Sequence, residues 1–371
     1  MQLQTYLRSR TRQPEFLGRM MLIILAVGLL LAFVVQASEP NSEEGGALLR
    51  VSDQQGAIYD KLTQLSQNRQ WVEYWWTIPR YMWHSIVPGP ALLAGLTGIC
   101  WFVFIVQAGQ PHRQGGIRWP LAAVAVVLGV LSIWPTLFAV DWQRIEWNLV
   151  MTDDLRGGLR FFILGVGLRE ELSKLLLFLP LVPWIIRRGS EREALLVAAC
   201  VGLGFAMEEN IGYFLRGEDA SGRFLTANFF HMATTGLCGL AVCRAIWNPR
   251  QRLGEAIAIV LLMIVGHGLY DAVIVLPSLQ MYGIFSFLLI VGLAYWFFHE
   301  LRTWWQSPGE TISLTATFLA SVSIIVAATL VYLSSLVGLQ QAAQLVILPT
   351  LALGLTVYMF LREMPESIID V

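Results

Sequence analysis

Four ionisable side chains interrupt a stretch that is otherwise apolar enough to cross a membrane. The segment GLREELSKLLLFLP, residues 167–180, carries Arg169, Glu170, Glu171 and Lys174. Charged groups at membrane depth cost about 2.5–3.5 kcal/mol each on insertion scales, and they usually mark function. Lys174 follows the two glutamates by four and three residues, so it can pair with either on one helical face. The segment predicts a buried functional site, and a purely structural ion-pair network is the alternative.

Acidic side chains and histidines recur in the next three apolar stretches. These groups are Glu208, Glu209 and Asn210 in GFAMEENIGYF, His231 in ANFFHMATTG, and His267 and Asp271 in VGHGLYDAV. His267 and Asp271 are four residues apart and therefore share a helical face. Adjacent glutamates point about 100° apart on a helix, so we expect only one of the pair 208–209 to face the site. Because the four stretches are consecutive, they can form one bundle with a polar interior.

The formal charge of this predicted interior is strongly negative. It holds five acids, Glu170, Glu171, Glu208, Glu209 and Asp271, against two bases, Arg169 and Lys174. Such an excess is costly in a medium of low dielectric constant, so either some carboxyls are protonated or a cation is bound. The residues alone leave both explanations open. They also leave His231 a packing alternative, Asp271 an orienting role towards His267, and Arg169 a role in helix packing only.

Composition indicates which elements must position these groups. The chain has 371 residues, of which 56% are hydrophobic and 14% charged, whereas soluble proteins carry about 25% charged residues. We therefore predict an all-α, polytopic transmembrane bundle. Spans need about 20 apolar residues, and ten are expected: 19–36, 89–108, 119–140, 161–186, 194–215, 224–247, 255–276, 282–301, 311–338 and 343–361. The first is interpreted as a retained anchor rather than a cleaved signal.

Flanking charges and aromatic residues predict how the chain sits in the bilayer. Lys and Arg are more numerous in the flanks that lie inside if both termini are cytoplasmic, which favours that orientation. Residues 71–83, WVEYWWTIPRYMW, predict an interfacial helix on the outer surface. The net charge of −1 excludes a bulk electrostatic attraction to nucleic acid, and the four cysteines lie in apolar runs without metal-binding spacing. The predicted regions are an anchor (1–36), an extracytoplasmic segment (37–88), spans 2–3 (89–140), a four-helix catalytic core of spans 4–7 (160–276), and spans 8–10 (277–371).

Four ordered motifs resemble the PrsW family of intramembrane proteases. EELSK (170–174) matches an EExxK pattern, FAMEEN (205–210) places Glu209 and Asn210 in an FxxxEN pattern, His231 follows, and HGLYD (267–271) matches HxxxD. Each motif alone is weak, but the ordered set on successive spans is specific. That family is distantly similar to the CAAX prenyl proteases and to the Aph subunit of gamma-secretase. Glu209, Asp271 and the position of Lys174 depart from the CAAX pattern, which makes prenylated substrates less expected.

The resemblance implies a membrane-embedded endopeptidase of a bacterial inner membrane. Its substrate would be a membrane protein, such as an anti-sigma factor receiving its first cut near the outer boundary. A buried carboxylate suits the activation of water, and we assign that role to Glu170, with Glu171 as orienting partner or alternate. The implied catalytic set is Glu170, Glu171, Lys174, Glu209, Asn210, His231, His267 and Asp271. Glu209, His231 and His267 could supply three ligands to a Zn²⁺ ion, and a metal-free mechanism stays open.

Two other classes of function compete with proteolysis. An ion-coupled transporter also carries buried acids and histidines, but such proteins usually show internal repeats and broken helices, and the sequence has no repeat. A non-catalytic membrane scaffold similar to the Aph subunit would retain histidines without the acidic pair. The presence of Glu170, Glu171 and Glu209 therefore favours the enzyme.

Overall fold

All regular structure in the described part of the chain is helical. The structure is a computed structural model, and it describes residues 10–38, 53–109, 116–216, 220–304, 312–352 and 354–364. Parts of the predicted regions, residues 1–9, 39–52 and 365–371, lie outside the described residues. The prediction of an all-α polytopic bundle is confirmed.

The α-helices of the described residues are numbered along the chain. In chain order they are α1 (Pro14–Ser38), α2 (Asp53–Gln67), α3 (Trp71–His84), α4 (Pro88–Ala108), α5 (Trp119–Leu131), α6 (Ile133–Glu146), α7 (Leu155–Arg160), α8 (Leu168–Phe178), α9 (Val182–Arg188), α10 (Glu191–Leu215), α11 (Ala220–Arg223), α12 (Phe229–Trp247), α13 (Pro249–Val275), α14 (Ile284–Thr303), α15 (Leu314–Val337), α16 (Leu339–Ala352) and α17 (Gly354–Glu363). Two π-helical segments, Phe161–Gly167 and Phe224–Asn228, join α7 to α8 and α11 to α12.

Eight helices of the described residues are long and apolar enough to cross a membrane. They are Pro14–Ala37, Pro88–Ala108, Trp119–Glu146, Glu191–Leu215, Ala220–Trp247, Pro249–Val275, Ile284–Thr303 and Leu314–Val337. These helices coincide with eight of the ten predicted spans. Of the other two predicted spans, 161–186 is helical but is not a single α-helix, and the described residues of 343–361 lie in α16 and α17.

The predicted span 161–186 lies within a helical segment whose geometry changes several times. The π-helical segment comes first, α8 carries the charged residues, a 3-10 turn follows at Leu179–Leu181, and α9 ends at Gly189 with a left-handed conformation. Helix α8 packs against α5, α6, α10, α12 and α13. Its central position explains why this polar segment is buried despite its four charges.

Helices α2 and α3 form a small aromatic unit on α6. The phenol of Tyr74 donates a hydrogen bond of 2.8 Å to Asp141, and the indole of Trp134 donates one of 2.9 Å to the carbonyl of Trp75. Burial, with the nearby Asp141 carboxylate, raises the pKa of Tyr74. The predicted helix at 71–83 is thus present, and it is attached to the bundle through one face. Its other face exposes Trp76 and Trp83, as an interfacial helix requires.

The bundle core is aromatic around Trp101 of α4. Its indole ring contacts Phe224, Phe229, Phe318 and Phe360 at centroid distances of 4.9–6.0 Å. Its N–H donates a 2.8 Å hydrogen bond to the carbonyl of Phe224, the first residue of the second π-helical segment. This core fixes the start of α12, and with it the position of His231. All four cysteines are buried and free, as the sequence predicts.

Candidate active site

Close backbone contacts bring the motif-bearing helices together. A Cβ atom on Gly167 would lie 2.3 Å from the carbonyl oxygen of Ile264, and one on Gly268 would lie 2.5 Å from the Cα of Ile163. The first π-helical segment and α13 therefore approach more closely than any side chain permits. A Cβ on Gly202 would lie 2.1 Å from the carbonyl oxygen of His231. The first two contacts place the motif of α8 beside that of α13, and the third places the motif of α10 beside His231 of α12.

Glu171 is the centre of the buried hydrogen-bond network. Its Oε1 atom accepts from Lys174 Nζ at 2.7 Å, from His267 Nδ1 at 2.7 Å and from Thr234 Oγ1 at 3.3 Å. Glu171 and Lys174 are both fully buried, and the ammonium of Lys174 also lies 4.4 Å from the ring centroid of Phe205. Three donors on one oxygen hold this carboxylate in place. Its bond to Nδ1 fixes the ring of His267 with Nε2 directed elsewhere.

His231 lies between a basic and an acidic partner. Lys174 Nζ is 2.9 Å from His231 Nδ1, and His231 Nε2 is 3.2 Å from Glu209 Oε2. A charged lysine has only donors, so Nδ1 accepts and Nε2–H donates to the carboxylate. The imidazole thus connects the carboxylates of α8 and α10, and its ring centroid lies 5.2 Å from that of His267.

Arg223 joins the site, although it is not among the predicted site residues. Its guanidinium donates to Glu209 Oε2 at 2.8 Å and to Asn210 Oδ1, and it lies 3.5 Å from the ring centroid of Tyr213. Asn210 donates in turn to Asn228 Oδ1 at 2.6 Å. The formal count inside the site becomes five acids against three bases. The only signal for Arg223 in the sequence was its place shortly before an apolar stretch.

Glu170 is less constrained than Glu171. Its Oε2 atom is buried and has no hydrogen-bond partner within the described residues, and it lies 3.5 Å from His267 Nε2. Asp271 Oδ2 lies 3.5 Å from the same nitrogen, and its side chain is 27% exposed. Three groups able to exchange protons therefore meet at His267 Nε2, with Asp271 on the accessible side.

The structure brings all eight predicted catalytic residues together and leaves Arg169 and Glu208 outside the set. Glu170, Glu171, Lys174, Glu209, Asn210, His231, His267 and Asp271 form one connected set through the contacts above. Arg169 lies apart from this network, with its guanidinium 5.8 Å from the ring of Phe161. Glu208 is partly buried beside Glu209 and has no part in the hydrogen bonds described above.

The donor atoms of the site fit a divalent metal ion. Glu170, His231 and His267 each offer one ligand atom, and these atoms lie within 4.8 Å of one another. This group contains Glu170, whereas the sequence suggested Glu209, which is already engaged by Arg223. The unpartnered Oε2 of Glu170 and the oriented Nε2 of His267 suit such ligation. In the hydrogen-bond arrangement above, His231 Nε2 carries the ring proton and has no lone pair for a metal. For His231 to bind through Nε2, its ring proton would have to lie on Nδ1, in the hydrogen bond with Lys174 Nζ.

Comparisons with known proteins agree with this site. Residues 118–298 match the model of the PrsW family intramembrane metalloprotease. The matched region includes every residue of the connected set and extends from the start of α5 into α14. Searches of the curated proteins and of the solved structures give no match. With its eight apolar helices, the chain is an integral membrane protein, and the part of it that carries the connected set is similar to the PrsW family of intramembrane metalloproteases.

Proposed function

We propose that this protein is an endopeptidase that cuts a membrane-protein substrate near the outer membrane boundary, in the manner of the first cut in an anti-sigma factor. The observation that carries the proposal is the pair formed by Glu170 Oε2 and His267 Nε2. These atoms face each other at 3.5 Å in a buried site, while the opposite nitrogen of His267 is fixed by Glu171. A free carboxylate beside an oriented imidazole is the arrangement that water activation needs.

Glu170 is assigned as the group that accepts the proton of the attacking water. Its carboxylate has two oxygens, so one can hold a cation while the other accepts a proton. Glu171 is instead held through Oε1 by Lys174, His267 and Thr234, although its Oε2 also has no partner within the described residues, and we infer a positioning role for it. Asp271, which is partly exposed next to His267 Nε2, can carry the proton towards the leaving amine.

Glu170, His231 and His267 would hold the metal ion that the family description implies. A divalent ion supplies Lewis-acid polarisation of the scissile carbonyl. It would also offset the excess of two acids over bases in the site. Zn²⁺ is the proposed ion because it favours mixed histidine and carboxylate sites with an open position. Glu209 then serves to orient His231 from outside this group.

Helix length supports the depth of the proposed cut. With α10 running outwards, Glu209 lies six residues, or about 9 Å, before the last residue Leu215. His267 lies eight residues, or about 12 Å, before the last residue of α13. Both positions fall in the outer half of a hydrocarbon core about 30 Å thick if the termini are cytoplasmic. Water and substrate would therefore reach the site from the extracytoplasmic side of a bacterial cell membrane.

Co-expression in a bacterium tests this proposal. Tagged single-span membrane proteins, an anti-sigma factor among them, are expressed with the full chain, and their fragments are identified by immunoblot and mass spectrometry. We expect a fragment cut near the outer boundary, lost at least a hundredfold with Glu170→Gln. The matched control is Glu255→Gln, which removes an exposed carboxylate at the start of α13. Equal cleavage by wild type and Glu170→Gln at equal membrane levels would refute the role of Glu170.

A further inference from the structure

An apolar cleft opens beside the candidate active site. It has a volume of about 290 Å³ and lies between α12, α13 and α14. His267 and Thr234 form part of its lining, and both donate to the carboxylate of Glu171. At the other end, Leu288 and Gly292 of α14 are exposed on the surface of the bundle. The cleft therefore connects the lipid-facing surface with an imidazole of the site.

Two glycines keep the cleft open. A Cβ atom on Gly266 or on Gly292 would meet nothing within 4 Å, and both residues line the cleft. Their neighbour Gly268 differs, because it lies against the first π-helical segment and leaves no room for a side chain. Small residues in membrane helices usually allow close packing, but Gly266 has no atom of another helix near its Cβ position. Because Gly266 and Gly292 have no side chain, they leave the cleft open and do not bring two helices into contact.

The chemistry of the lining restricts what the cleft can bind. Apart from Thr234 and His267, its walls are glycines and apolar side chains, among them Phe230, Leu288 and Trp296. The hydroxyl of Thr234 and both ring nitrogens of His267 face groups of the site. An apolar occupant is therefore favoured. The volume is at the lower limit for small-ligand sites, so it suits one large side chain and is too small for a helix.

We infer that this cleft is the subsite that receives an apolar side chain of the substrate next to the scissile bond. The inference rests on the proposed function. A side chain seated in the cleft has its tip between α13 and α14 and its backbone beside His267. The scissile carbonyl is then presented to Glu170, and selection of the cut site follows from the fit of one side chain. Filling the cleft at Gly292 should weaken this selection without altering the groups that carry the chemistry.

A set of model substrates tests the inference with the full chain in proteoliposomes. The probes are single-span, alanine-rich peptides in which one phenylalanine is moved stepwise through the outer half. With wild type, mass spectrometry should find the cut at a fixed distance from the phenylalanine. With Gly292→Leu, the preference for that position over an all-alanine peptide should fall at least tenfold, the scale at which an apolar pocket discriminates. Gly266→Ala should reduce it less. The matched control is Gly254→Leu, an equally open and exposed glycine of α13 outside the cleft.

The other outcomes are distinct. A cut that ignores the phenylalanine, or a Gly292→Leu effect equal for all peptides, overturns the subsite. A Gly292→Leu effect that depends on the acyl-chain length of the lipid, and not on the peptide, also overturns the subsite, because the cleft would then hold lipid. A parallel measurement needs no cleavage: a benzophenone replaces the phenylalanine, and Glu170→Gln protein is photo-cross-linked. Adducts on cleft residues without cleavage by wild type would refute the proposed function and leave the subsite standing. Adducts elsewhere only would overturn the subsite.

Discussion

The substitution Lys174→Met tests whether the buried ion pair holds the site together. The chain has only two lysines, Lys61 and Lys174, and each pairs with a glutamate at 2.7–2.8 Å. The Lys61 side chain is 49% exposed, whereas those of Lys174 and Glu171 are both 0% exposed. Removing one partner of a buried pair leaves an uncompensated charge and costs about 3–5 kcal/mol. An exposed pair contributes only about 0–1 kcal/mol.

We therefore expect Lys174→Met to lower the free energy of unfolding by about 3–5 kcal/mol and Lys61→Met by at most about 1 kcal/mol. The double variant Lys174→Met with Glu171→Gln should recover at least half of the loss, because the charge that Lys174→Met leaves uncompensated on Glu171 is then removed as well. Unfolding by SDS in mixed micelles, followed by far-UV circular dichroism, measures all three differences. Equal losses for the two lysines, or a double variant as unstable as Lys174→Met, would refute the reasoning.

Three further predictions concern the metal, the outer unit and the orientation. Elemental analysis of the purified chain should find about one divalent ion per chain, and the double variant His231→Ala with His267→Ala should lose it, since both ligands are removed. Tyr74→Phe removes the hydroxyl that joins α3 to α6, a bond worth about 1 kcal/mol, and should speed amide hydrogen exchange in residues 53–84 alone. A cysteine at Met281 should react with an impermeant thiol reagent added outside intact cells, and one at Gly254 only in inverted vesicles. The native cysteines are buried, and the reverse labelling pattern would reject an outward-facing site.

Much of the bundle could be predicted because its determinants are local. Apolar length identified the eight helices that can cross a membrane, and helical spacing identified the pair Glu171–Lys174 at i, i+3 and the pair His267–Asp271 at i, i+4. Because the motif residues were confined to consecutive stretches, a common interior was the simplest way to avoid exposing them to lipid. The order of the motifs along the chain was therefore enough to predict which residues form most of the site.

The parts that sequence reasoning missed depend on contacts between distant residues. Arg223 was not among the predicted site residues, but its long side chain brings the guanidinium to Glu209 and Asn210, as amphipathic side chains can. Gly266 and Gly268 look alike in the sequence, and only the position of the neighbouring helices decides that one packs and the other opens a cleft. Which glutamate of the EE pair is held and which is free likewise follows from the positions of Thr234 and His267.

The two π-helical segments also bear on how the length of this chain can change. A π-helical turn holds one more residue than an α-helical turn, so removing one residue from Phe161–Gly167 could restore regular α-helix. The helical residues after the deletion would then be rotated by about 100° about the helix axis relative to those before it. Glu170 and Glu171 lie after that segment and are held by their contacts with other helices. The rotation would therefore be imposed on α7, which precedes the segment. A single-residue deletion in Phe161–Gly167 or in Phe224–Asn228 thus changes the helical register of the residues that follow. A deletion in an outer loop changes only the length of the connection between two helices. In related chains, gaps in an alignment should therefore avoid these two segments, even though no conspicuous sequence pattern marks them.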